Sequence, residues 1–392
     1  MADTGNVLTP DMLALEKRKL LEQWLEQEGI RSKAKAISAA RRKNQSEFPL
    51  SFAQQRLWLL DQLEPGSPFY NLPHPVRLSG KVDVATLEAS LNRVAERHES
   101  LRTTFHEENG KPVQQIHPKS DLKIAITDLR HWPEGKQKEE AQRLSSEEAR
   151  KPFDLQRGPL LRVRLLRLGE EDQLLLLTMH HIISDGWSLD IFVQEIAAFY
   201  EGLLEGKTPV LEPLAIQYAD YALWQREQLR DDVLERGLQY WRQQLSGDIV
   251  PLQVATDYPR PRIQRYRGAQ CHLSLEKELA GKLILMARRE DVTLFMFLLA
   301  AYKVLLYRYS GQEDMVAGSP VANRTRPEIE KLIGYFANTL VLRTNLGGDL
   351  TVRELLQRVR ETALSAYAHQ EIPFEKLLEE LQPLRDPSRQ PL

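Results

Sequence analysis

From Phe48 onward, strand-like and helix-like segments alternate along the chain, and this alternation limits the fold more than any other feature. VRLSG (76–80) has the two-residue period of a strand ending in a turn, and VATLEASLNRVAERH (84–98) has the period of an amphipathic helix. QLLLLTM (173–179) is an unbroken apolar run of the kind a strand shows when both its faces are covered. Interleaved elements of both kinds imply a mixed α/β fold. Residues 274–310, which include LFMFLLAAYKVLLYRY, are expected to be helical. The apolar stretch Leu294–Tyr302, closed by Lys303, is too short to span a bilayer, so it is expected to form a buried helix.

Two flanking regions break the alternation. Thr9-Pro10-Asp11 has the residues of a helix start and Gly29 those of a stop, which predicts a first helix over 10–28. The polar segment that follows, with Arg31, Lys33, Lys35, Arg41, Arg42 and Lys43, reads as a solvated linker reaching to Glu47. The stretch PLQVATDYPRPRIQRYRG (251–268) has the proline and arginine content of a connector. At 392 residues and 42% apolar, the chain can bury a large core, and its length favours two domains or a two-lobed unit.

Composition narrows the setting. With 53 basic and 55 acidic residues the formal charge is -2, so no global field favours nucleic acid or an anionic membrane. The single cysteine, Cys271, excludes an internal disulfide or a cysteine-rich metal site and fits a reducing, cytoplasmic setting. The N-terminus has no apolar core of signal-peptide type.

The chemistry concentrates in MHHIISDGWS (179–188), directly after Leu174–Leu177. A histidine at the mouth of a strand is rigidly held yet open to a cleft, which suits proton handling, and the same pair would also serve as an ordinary turn. Joint metal binding by His180, His181 and Asp185 is awkward, because neighbouring residues on extended backbone point in opposite directions. The chain has no G-x-S-x-G elbow, no phosphate-binding G-x-x-x-x-G-K-S/T loop and no G-x-G-x-x-G. Ser188 is expected to cap the next helix, with Asp190 in its first turn.

HHIISDG resembles the H-H-x-x-x-D-G signature of the chloramphenicol acetyltransferase-like superfamily and of the condensation domains of nonribosomal peptide synthetases. Six further stretches resemble the remaining condensation-domain motifs in order. SFAQQRLWLL (51–60) and RHESLRTTF (97–105) precede the histidines, and YADYALW (218–224) comes after them. IGYFANTLVLR (333–343), HQEIPFE (369–375) and RDPSRQPL (385–392) complete the set. Within these motifs, Trp58, Phe105, Trp224 and Phe374 are expected to be core anchors, and Arg102 and Arg343 ion-pair partners.

This resemblance implies two chloramphenicol acetyltransferase-like α/β lobes in a V-shaped pseudo-dimer around a central tunnel. It divides the chain into an N-terminal helix and linker (1–46), a first lobe with the histidine motif (47–215) and a second lobe (216–392). It implies amide-bond formation without a covalent intermediate, between an acyl or peptidyl thioester on a donor carrier and an aminoacyl group on an acceptor carrier. Phosphopantetheine is then carried by the partner peptidyl carrier domains, with an adenylation domain adjacent, and no metal is required. His181 is the implied catalytic residue. His180, Asp185, Gly186 and Arg324 are support, with Arg324 pairing Asp185 and Gly186 leaving room for the thioester. Trp187, Ser319 and Asn338 are tunnel candidates. The sequence around the first motif and the histidines resembles domains that join an L-donor to an L-acceptor.

Glu371 and Gln390 stand where the family often has Asp and Asn, and members usually continue for several dozen residues beyond the seventh motif, so a fragment is expected. The competing readings are a non-catalytic member that recruits carriers or a tailoring enzyme, and an acyltransferase to a soluble acceptor.

Overall fold

The computed structural model describes residues 10–28, 36–39, 45–207, 209–262, 268–269 and 271–382. The seventh motif, the Thr9 cap and most of the basic linker lie outside them. The elements follow in the order α1 (Pro10–Gln27), β1 (Glu47–Pro49), α2 (Phe52–Leu63), β2 (Asn71–Ser79), α3 (Val84–Arg97), β3 (Thr103–Glu108), β4 (Lys111–Ile116), β5 (Ile124–Asp128), α4 (Glu134–Arg150), β6 (Leu161–Arg167), β7 (Asp172–His180), α5 (Gly186–Leu204) and α6 (Tyr218–Gln228). They continue with α7 (Asp231–Gln244), α8 (Lys277–Arg289), α9 (Leu294–Ser310), β8 (Asp314–Val321), α10 (Pro327–Glu330), β9 (Asn338–Asn345), α11 (Val352–Ala368) and α12 (Phe374–Leu381).

The chain divides into two compact units. One comprises residues 35–230 together with 322–337, and the other residues 1–34, 231–321 and 338–392. This differs from the boundary expected at 215/216. Helix α6 belongs to the histidine-bearing unit because Tyr218 and Tyr221 pack there with Ile329, Leu332 and Phe336. The first helix lies with α11 in the other unit, where Lys17 sits over the Tyr367 ring, 3.9 Å from its centroid.

In the histidine-bearing unit, one sheet has the order β2-β7-β6-β5, antiparallel except for the parallel β5–β6 pair. The apolar run of β7 has a direct physical reason. Leu175, Leu177 and Met179 join a core with Leu91, Val94 and Phe192 from α3 and α5, whereas Leu176 packs with Leu129, Ala141, Leu144 and Leu166. Both faces of the strand are covered, which favours the unbroken leucine run at its centre. Each such leucine contributes about 1.5–3 kcal/mol by leaving water. A second sheet, β1-β4-β3, lies in the same unit.

In the other unit β8 and β9 pair antiparallel, with Asp314 opposite Asn345 and Val321 opposite Asn338. The helical region expected over 274–310 is two helices. Thr293 accepts from Met296 N at 3.2 Å and starts α9 afresh, and Asp291 just before it has a φ of 54°. Helix α9 is not the buried helix expected. Met296, Ala300 and Lys303 face inward, but Phe295, Leu298, Tyr302, Leu305 and Tyr309 form an opposite stripe that is 40–69% exposed. No single helix among the described residues is long and apolar enough to cross a membrane.

Candidate active site

Strand β7 ends at His180 and His181 opens the turn that follows, and the two histidines have opposite fates. His180 is buried, with its ring 6.3 Å from that of Tyr70 and 6.0 Å from that of Phe153. Its Nδ1 accepts from Ile182 N at 3.2 Å. Burial, reinforced by His181 and Arg162, lowers its pKa to about 3, so it is a neutral structural ring. His181 is half-buried and begins a single 3₁₀ turn, and its backbone N donates to Tyr70 O at 2.8 Å. Its side-chain Nδ1 lies 2.8 Å from Ser184 O. A carbonyl only accepts, so Nδ1 carries the hydrogen and Nε2 of the neutral ring holds the lone pair. The turn is supported from the first motif, where buried Gln54 donates through Nε2 to Ile182 O at 3.3 Å.

Asp185 is the hub behind this turn. It is 2% exposed, and its Oδ1 accepts from Ser188 N (2.8 Å), Ser188 Oγ (2.7 Å) and Arg324 Nη2 (3.1 Å). Its Oδ2 accepts from Phe336 N at 3.0 Å. Asp185, not Ser188, is therefore the N-cap of α5, with Ser188 at the third helical position. Arg324 also donates to Ile329 O, Leu332 O and Ser188 Oγ, and its guanidinium lies over Phe336, 4.2 Å from the ring centroid. Gly186 opens α5, and a Cβ there would meet nothing within 4 Å. Neither backbone strain nor a protein neighbour requires glycine, which leaves space beside the histidine turn. Trp187 is exposed, and its indole N–H donates to Glu330 O at 3.0 Å.

The other two tunnel candidates lie in the second unit. Ser319 sits on β8 opposite Leu340. Asn338 donates to Gln370 O and Ile372 O and accepts from Thr339 N and Phe374 N. All four hydrogen-bonding positions of its amide are engaged, so it pins the HQEIPFE turn and has no polar capacity left for a ligand.

Several residues of the site were not singled out in the sequence. His98 donates through Nε2 to Glu195 Oε2 (2.8 Å) and accepts at Nδ1 from Ile333 N (3.3 Å). Arg97 holds the other oxygen of Glu195 at 2.9 Å. Burial alone would raise the Glu195 pKa, but His98 and Arg97 more than offset it and hold the carboxyl below its ordinary range. Tyr218 donates to Tyr335 O at 2.5 Å and shares a 2.9 Å hydrogen bond with Ser51 Oγ, burial keeping the phenol protonated. Gly334 is required by packing, since a Cβ would stand 2.0 Å from Tyr218 Cδ2. All of these residues except Glu195 fall inside the recognisable motifs, but only the fold shows that they meet.

The family model for the condensation domain matches residues 44–392. The chain belongs to that family. It is 53% identical over 348 residues to one of the linear gramicidin synthase subunits of Brevibacillus parabrevis, a match covering 89% of this chain and 7% of that protein. Among solved structures, the X-domain from teicoplanin biosynthesis is 31% identical with a TM-score of 0.81, over 91% of this chain and 78% of that one. The first condensation domain of the calcium-dependent antibiotic synthetase, solved with a substrate analogue, is 25% identical with a TM-score of 0.71, over 86% and 78% of the respective chains. The mixed α/β condensation fold expected from the motifs is thus the fold of the chain, and the gramicidin synthase relative is far longer than the span it matches.

Proposed function

We propose that this condensation domain joins a carrier-bound acyl or peptidyl thioester to a carrier-bound aminoacyl acceptor. The observation that carries the reading is the tautomer of His181, whose Nδ1–H is held by Ser184 O while Nε2 keeps its lone pair at the end of β7. The acceptor's α-amine, with a pKa near 8, is partly neutral at pH 7 and attacks the thioester carbonyl carbon. The C–N bond forms as the C–S bond breaks. Nε2 takes the proton that the nitrogen sheds and returns it to the departing sulfur, so the products are an amide and a free pantetheine thiol. No bond to the enzyme is needed. The open space at Gly186 supports close approach of the thioester, and phosphopantetheine arrives on the partner carriers.

The test is chemical loading of both carriers and detection of the amide by mass spectrometry. His181→Ala should lower turnover by about 10²–10⁴-fold, and turnover equal to wild type would remove His181 from the chemistry. A second reading, recruitment of a partner without turnover, is favoured by the likeness to the X-domain, which has been solved in complex with OxyB. Partner binding with no amide from the wild-type chain would establish it instead.

A further inference from the structure

Between β8 and β9, the loop around residues 333–336 is irregular, yet its backbone is held group by group. Ile333 N donates to His98 Nδ1 (3.3 Å), and Ile333 O accepts from Ser100 Oγ (2.7 Å). Gly334 N and O both meet Ser188 Oγ, at 3.0 and 2.8 Å. Tyr335 O accepts from Tyr218 (2.5 Å), and Phe336 N donates to Asp185 (3.0 Å). A buried loop must satisfy its polar groups, but side chains converging from separate parts of the unit also give this one a single fixed conformation.

The group so held is the Tyr335 ring, whose centroid lies 4.6 Å from that of His181 with the planes at 58°. The imidazole needs a second restraint. The Nδ1 hydrogen bond fixes one edge of the ring, but one hydrogen bond alone leaves roughly a tenth or more of such rings free to turn over. A turned ring would place carbon where the lone pair must be. We infer that Tyr335 is a positioning residue that holds the His181 imidazole in its reactive orientation, and that Asp185, Ser188 and His98 act on the reaction through it. This rests on the reading of His181 as the proton-handling group.

The full chain is assayed with loaded carriers as Tyr335→Phe, which keeps the ring, and Tyr335→Leu, which keeps apolar bulk without it. Tyr335→Leu should lower kcat about tenfold while the KM for the acceptor carrier stays within about twofold, and Tyr335→Phe should stay within about twofold of wild type on both. Side-chain ¹⁵N spectra of the histidines should show His181 as the Nδ1–H tautomer in wild type and Tyr335→Phe, and as a mixture in Tyr335→Leu. Unchanged kcat and unchanged nitrogen signals in Tyr335→Leu would overturn the inference. So would a loss in Tyr335→Phe equal to that in Tyr335→Leu, or a change confined to KM. The spectra need no turnover, so a failure of His181 as the catalytic group, read from His181→Ala, is distinguishable from a failure of Tyr335 as its support.

Discussion

Arg324 in one unit and Lys303 in the other are both buried cations, and they are accommodated in opposite ways. Arg324 meets a carboxylate, a hydroxyl and two carbonyls, and Asp185 opposes the downward pull of burial on its pKa. Lys303 donates to Leu342 O (2.8 Å) and Thr344 Oγ1 (2.7 Å), neither of them charged. Burial lowers its pKa to about 7, with Asp314 offsetting only part. A buried charge that organises a loop is matched in charge and geometry, whereas one that only fills space is free to become neutral.

The contrast is open to direct measurement. Arg324→Met leaves Asp185 charged and unmatched, and should cost about 3–5 kcal/mol in urea denaturation followed by circular dichroism. A loss below about 1 kcal/mol would mean that the pair organises nothing. Gly334→Ala forces the loop off Tyr218 and should cost about 1–3 kcal/mol, with faster amide exchange at Gly334 and Phe336. Lys303→Met should be the mildest near pH 10 and should have a pH signature. The folded pKa of Lys303 lies below its unfolded value, so the unfolded chain binds more protons between about pH 7 and 10.5 and wild-type stability rises with pH across that window. The advantage of Lys303→Met should therefore be greatest at or below pH 7 and shrink by at most about 1.4 kcal/mol per pH unit toward pH 10. A pH-independent difference would show that Lys303 stays charged when buried.

Period and motif order were enough to read the α/β class, β7, α3 and the family from the chain, because those signals are local. The Asp185–Arg324 pair was expected only through the family resemblance, since Arg324 lies outside the seven motifs. The rest of the hub, with Gly334 on Ser188, Phe336 N on Asp185 and Tyr218 on Tyr335 O, depends on contacts between residues more than a hundred positions apart. The cap was misassigned to Ser188 because Ser and Asp are equally good caps, and only backbone conformation distinguishes them. The exposure of α9 was illegible for another reason. Its apolar residues occur all round the helix, so periodicity does not say which side is covered.

The assignment of residues 322–337 to the histidine-bearing unit has a consequence for how the chain is made. A ribosome that has finished Arg230 must add residues 231–321 before the segment carrying Tyr335 begins. At roughly 5–20 residues per second, that is a delay of roughly 5–20 s. During it, Asp185 and Ser188 have each other but lack Arg324, Gly334 and Phe336, so the nascent site matures only after much of the second unit has been translated.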